Sequence, residues 1–532
     1  MGLDAEEADL LRELATRRRA RRRRAAVIVL GLAALLVLAG CIYDSYWTRR
    51  LNAKLAQLRA DGQILTVEEL VSRHNYLPDE ENSALGFLKA RDALQKTAES
   101  DLLDSCRFGR VVGTLPSETV QGWLRTDLEA NAEALRLCHE AARLPGGSYP
   151  LEPKSDYRDL QFPDVQGLRD LGRLCGREAL LRAIQGDAAG AARSLVAYRR
   201  LAASFGERPV MIAATARLDL AWMAVGNLER IMGLCRMDEA ALDALAREFE
   251  LEERGLSLGL TLVSERSLGT DAFVRADVML EKEGPIRRLA YGWVPGWRQK
   301  DALFFHGVMD QYAELTAAAP PEKVVKGIGI RDMVDREFWV SKWRYPLSAQ
   351  TVPDMGSMFR DEAQSKAQLA MARTALLVEK WRMMHGRWPD SLEELVPDIL
   401  ETLPPDPFTE APLVYRRTNE GILLYSVGQD GKDDKGLPAE EAVRRAGTLF
   451  VGEGWDLPLR VLDPQLRGAQ QAALRDELMD FSLYSALPGY VAPSVYPGLI
   501  LSDLRKVGLG TGDLKGLGLT DQDLEELKGR RW

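Results

Sequence analysis

The residues predict a mainly α-helical chain: a single N-terminal transmembrane helix, an α-helical hairpin domain, a small α+β module and an irregular tail. Three observations carry this. The run AAVIVLGLAALLVLAGCIY, Ala25 to Tyr43, holds no charge. From Asp44 to about Tyr345, apolar residues recur at three- and four-residue steps between turn signals. After Pro353 one long helical stretch is followed by two short alternating stretches joined by Asn419-Glu420-Gly421. The expected segments are 1–24 (cytoplasmic, Arg-rich), 25–43 (transmembrane helix or lipoprotein signal), 44–345 (extracytoplasmic, helical), 358–464 (the α+β module) and 465–532 (helix, linker and Leu-periodic tail).

The apolar run is long enough to span the hydrocarbon core as a helix. Seven arginines between Arg17 and Arg24 outweigh Arg49 and Arg50 beyond it. The positive side stays in the cytoplasm, so the body is expected outside, on the inner membrane. Tyr43, Tyr46 and Trp47 fit the far aromatic belt. A second reading stays open. Leu38-Ala39-Gly40-Cys41 resembles a bacterial lipobox, which would make Cys41 the lipidated N-terminus.

The net charge is −9, and residues 1–24 carry eight arginines against five acids. The rest is therefore acidic, which argues against nucleic acid as a partner. Apolar content of 46% allows a sizeable core. Cys106, Cys138, Cys175 and Cys235 could form two disulfides with three connectivities. The preferred reading is buried thiols, because a core of this size needs no staples.

Within the body, TVEELVSRH opens with a capping box, Thr66 to Glu69. Residues 168–205 read as two helices broken at Gly186-Asp187, resembling one side of a tetratricopeptide hairpin without its 34-residue period. Helices are next expected over MIAATARLDLAWMAVGNLERIMG and DEAALDALAREFELEERGL, with YGWVPGW and TAAAPPEK as loops. Trp293, Trp297, Trp339 and Trp343 read as packing anchors.

In the module, FRDEAQSKAQLAMARTALLVEKWRMMHG predicts one long helix stopped by Gly386. RWPDSLEELVPDIL predicts a short second helix capped by Ser391. Leu413–Arg417 and Ile422–Val427 predict two strands, and the glycine turn beyond carries Asp430, Asp433 and Asp434.

HGRWPDSLEELVP, LPPDPF, APLVYR and LLYSVGQDG, in this order, resemble the periplasmic part of the major pseudopilin of type II secretion. The resemblance covers about Met358 to Pro464. It implies that the acidic loop binds calcium, with Asp430 at the x-D-G position, Asp456 at the later aspartate, and Asp433 and Asp434 between. Calcium takes six to eight oxygens in flexible geometry, which a glycine-rich acidic turn can offer. That family's prepilin signal does not occur here, and a long helical stretch separates apolar helix from module. The module therefore reads as a borrowed folding unit.

The tail places Leu504, Leu509, Leu514, Leu519 and Leu524 at a period of five. No histidine pair has metal-ligand spacing. Gly255-Leu256-Ser257-Leu258-Gly259 matches G-x-S-x-G, which works only on a strained strand-to-helix turn. The expectation is thus a non-enzymatic, membrane-anchored extracytoplasmic scaffold or interaction protein. Its partner would be an unidentified envelope protein, and no small-molecule substrate is evident. The alternative is an extracytoplasmic serine hydrolase using Ser257.

Overall fold

The computed structural model describes residues 5–73, 76–105, 112–150, 165–207, 210–280, 291–340, 343–436, 456–472, 511–516, 520–521 and 524. The chain is mainly helical, with 68% helix and 6% strand. It divides into two compact units, neither continuous in sequence.

The first unit collects Met1–Leu70, Glu265–Gln311 and Met333–Val352. Its opening element is one helix, Ala5–Ala60. From Val27 to Ile42 the large apolar side chains of that helix are exposed. Beyond Tyr43 the helix is bonded into the rest of the unit. Asp44 accepts from the Gly296 backbone at 2.9 Å and from Gln299 at 3.2 Å. The Lys300 ammonium sits 4.8 Å from the ring centres of both Tyr43 and Trp47, a cation–π arrangement. Gly62, at φ 74°, ends the helix. The expected capping box follows. Thr66 Oγ1 accepts from the Glu69 backbone at 3.1 Å, and Glu69 reaches back to the Leu65 N–H at 2.9 Å.

The polar centre of this unit is Asp301, which is fully buried. It accepts from Tyr291 Oη and the Leu347 N–H, each at 2.9 Å, and from the N–H and hydroxyl of Ser348. A lone buried carboxylate would be costly; four donors offset its desolvation. Burial still holds its pKa above the usual carboxylate range.

The second unit collects Val71–Ser264, Tyr312–Asp332 and Pro353–Trp532. Val165–Ile184 and Ala188–Ala203 form the expected hairpin. Gly186 makes the turn at φ 78°, and Asp187 caps the second helix by accepting from the Gly190 N–H at 2.8 Å. Met211–Leu234 and Glu239–Gly255 also form where the pattern places them.

Met355–His385 is the long helix the sequence predicts. Asp354 caps its start, and Gly386 ends it at φ 73°. It packs against both Glu239–Gly255 and Met211–Leu234, with Leu369, Ala372 and Leu376 fully buried. The helix Met355–His385 and the helices before it therefore share one core.

Strands Val414–Thr418 and Gly421–Ser426 pair antiparallel, with Val414 opposite Tyr425. A third strand, Leu457–Leu462, pairs with the second. The pattern did not flag it because Pro458 reads as a breaker. Proline is tolerated here because this strand lies at the sheet edge. The expected short helix after Trp388 is only one 3₁₀ turn, Leu392–Leu395. Ser391 makes no side-chain cap. Glu394 instead accepts from the Asp390 N–H at 2.7 Å. Beyond the sheet, Gln470–Gln471 pairs in parallel with Thr114–Leu115. Leu514 and Leu524 are buried, and the rest of the leucine-periodic tail lies largely outside the described residues.

Candidate functional site

The acidic turn follows the central strand of the sheet. Its three aspartates and Asp456, just before the third strand, have different surroundings. Asp433 is held by protein donors: Tyr425 Oη at 2.8 Å, the Lys435 N–H at 2.8 Å and Arg416 at 2.9 Å. The Tyr425 hydrogen bond leads the causes that lower its pKa. Asp430 accepts from the Lys432 N–H at 3.0 Å and lies 3.5 Å from that lysine's ammonium. Asp434 is half-buried.

Asp456 is buried, and its Oδ2 accepts from the Gly436 N–H at 2.7 Å. Its Oδ1 is buried with no hydrogen-bond partner. Burial, with the negative charges of Asp434 and Asp433 nearby, raises its pKa. Among the described residues no group of three or more His, Cys, Asp or Glu side chains is arranged to hold a metal. Asp433 is tied to the two strands, and Asp430 bonds within the turn. Asp434 and Asp433 are the carboxylates whose charge acts on Asp456.

Asp406, in the Asp-Pro-Phe element, fastens this region. Its carboxylate accepts from the Phe408 N–H, Ser426 Oγ and the Val427 N–H, each at 2.9 Å. It ties the D-P-F turn to the end of the central strand. An aspartate just before proline was the available signal, but two of its three partners, Ser426 and Val427, lie twenty or more residues away.

A second concentration of charge lies in the helical part of this unit. Glu252 is 3% exposed and is flanked by Arg199, 1% exposed, and Arg217. Glu252 Oε1 accepts from Arg217 Nε at 2.7 Å. Its Oε2 lies 3.0 Å from Arg199 Nη2, close enough for an ion pair but without hydrogen-bond alignment. Arg199 also stands 5.7 Å from the Phe249 ring centre. Burial raises the Glu252 pKa, but the two guanidiniums outweigh it and the net shift is downward. The triad lines a cleft of about 540 Å³ shared with Ser204, Gly206 and Gly146. Gly206 leaves room for the Arg217 head, since a Cβ there would come within 2.7 Å of Nη1.

Ser257 lies between the helices Glu239–Gly255 and Gly259–Val274. A helix, not a strand, leads into Gly255, so the strained turn that G-x-S-x-G requires is not formed. The Ser257 hydroxyl accepts from the Gly259 N–H at 3.3 Å, a local contact at the start of the next helix.

Cys138 and Cys175 are buried free thiols whose sulfurs are 3.3 Å apart. Cys235 is also buried and free, and Cys106 lies outside the described residues.

Compared with family models, curated proteins and solved structures, the chain matches none of them.

Proposed function

We propose that this chain is a membrane-anchored extracytoplasmic scaffold or interaction protein of a bacterial envelope. One observation carries the reading. The helix Arg21–Ala60 is long and apolar enough to cross a membrane, and its apolar window is not buried against the protein. Soluble proteins rarely leave such a surface uncovered. The arginines before it favour a cytoplasmic N-terminus and a body outside. The helical body would bind an envelope protein, and the pseudopilin-like module would be set by calcium at the turn of Asp430, Asp433 and Asp434 together with Asp456. A serine hydrolase using Ser257 is not adopted, because no strand precedes Gly255.

Protease shaving of spheroplasts tests the topology. Digestion of the body with 1–24 protected supports it, and a protected body refutes it. Mass spectrometry of the N-terminus distinguishes the anchor from the lipoprotein, which would begin at a lipidated Cys41.

A further inference from the structure

The four tryptophans near residues 293–343 read from the sequence as packing anchors, but three of them are largely exposed. Trp293 is 82% exposed, Trp339 85% and Trp343 67%. Val294 and Val274, in the same unit, are exposed as well. Trp297 is half-buried and donates its indole N–H to the Arg344 carbonyl at 2.8 Å. That bond joins the two tryptophan-bearing segments. Phe304 strengthens the junction by stacking on Tyr345 at 4.1 Å and meeting Phe338 edge-on at 5.9 Å. The two tryptophan-bearing segments are thus joined by a hydrogen bond and an aromatic cluster.

This patch is continuous with the apolar helix. Pro295 abuts Gly40, where a Cβ would come within 3.1 Å of its ring. Gly40 lies inside the apolar run, about one helical turn before Tyr43. Gly296 and Gln299 bond to Asp44, and Lys300 covers Tyr43 and Trp47. The loop is therefore fixed at the level where the helix leaves the apolar run. Arg49, Arg50 and Arg344 are exposed cations of the same unit. Tryptophans with nearby arginines fit the carbonyl and phosphate layer of a bilayer.

We propose that residues 291–297, Trp339 and residues 343–345 form a second membrane contact, bedding Trp293, Trp339 and Trp343 in the interface of the bilayer that the N-terminal helix crosses. This rests on the anchor reading above. The occupant is lipid because the patch meets the apolar helix itself. A bilayer around Gly40 would reach Pro295 and its neighbours directly. The contact would fix the orientation of this unit against the membrane instead of leaving it on a single swivelling helix.

The test reconstitutes the full chain into phosphatidylethanolamine–phosphatidylglycerol vesicles carrying a diazirine phospholipid. After photolysis, adducts are mapped by peptide mass spectrometry. The expected result is adducts in 25–43 and also in 291–297 and 339–345. A Trp293→Ser/Trp339→Ser/Trp343→Ser variant should lose the latter two sets and keep the first. Its circular dichroism should match the parent. Adducts confined to 25–43 would overturn the second contact and leave the anchor intact. Absence of adducts from 25–43 would overturn the anchor and the contact with it. Crosslinks joining these segments in two copies of the chain, in place of lipid adducts, would assign the face to self-association and overturn the proposal. Adducts that persist in the triple variant would overturn the role of the tryptophans.

Discussion

Removing Glu252 should strongly destabilise the second unit. Glu252→Ala leaves Arg199 and Arg217 buried side by side with no opposing charge between them. Arg199 would retain only the Phe249 ring, because its guanidinium has no aligned hydrogen bond even in the native protein. Breaking a buried ion pair from one side costs about 3–5 kcal/mol. The adjoining cleft lets some water reach Arg217, so the lower end, about 3 kcal/mol, is expected. Replacing all three by apolar residues, Arg199→Met/Arg217→Met/Glu252→Leu, should cost far less, since it strands no charge. The triad also confers pH dependence. The Glu252 pKa is lower folded than unfolded, so its contribution is complete above the unfolded value. It is lost as pH falls through the folded one. The assay is urea unfolding of the full chain in detergent, followed by tryptophan fluorescence at pH 7 and at acid pH. A Glu252→Ala variant within about 0.5 kcal/mol of the parent would refute the reasoning, because that is the range of an ordinary surface change.

Three further outcomes are expected. Asp406→Ala should cost about 3 kcal/mol, since it orphans two backbone N–H groups and the Ser426 hydroxyl; Asp406→Asn should cost less, and equal costs in urea unfolding would argue against the hub. His306 is buried, and desolvation, with Arg266 and Lys54 nearby and only Asp310 opposing, lowers its pKa from 6.5 to about 4. The unfolded chain therefore takes up a proton that the folded one refuses. This costs about 1.4 kcal/mol per pH unit as pH falls between those values, a slope that His306→Gln should remove in pH-dependent melting. Calcium at a hundredfold excess over its dissociation constant should add about 2.7 kcal/mol of stability, with magnesium substituting poorly. Asp456→Asn should abolish that gain, and melting indifferent to calcium, magnesium and chelator would remove the ion from the proposal.

Much of the helical framework was legible because local rules govern it. Gly186 with Asp187, and Asp354 with Gly386, mark helix ends through caps that involve only neighbouring residues. The strand pair was legible for the same reason. The third strand was not, because edge position overrides the usual meaning of Pro458 and only the assembled sheet defines an edge. The 3₁₀ turn at Leu392–Leu395 was over-read because Glu394 serves the Asp390 N–H instead of a helix cap. At the acidic turn the sequence placed three aspartates together, but Arg416 and Tyr425, the partners of Asp433, come from the strands. The Arg199–Glu252–Arg217 triad draws on three helices and carries no local signature. The tryptophans were misjudged because aromatic residues usually enter cores, and exposure is a tertiary property.

The interleaving of the two units governs when each can form during synthesis. The first unit lacks its last piece until Val352 has emerged. The second cannot cover its central helices until Met355–His385 arrives, nor pair Thr114–Leu115 until Gln471 does. At ordinary elongation rates the earlier helices therefore wait roughly ten seconds to a minute for their partners. During that interval the apolar faces of Met211–Leu234 and Glu239–Gly255 are open to proteases and to other nascent chains. A helper that shields emerging chains should matter more to the yield of this protein than to one whose domains close in sequence order. Premature termination before residue 355 should leave a product that is cleared instead of a stable shorter form.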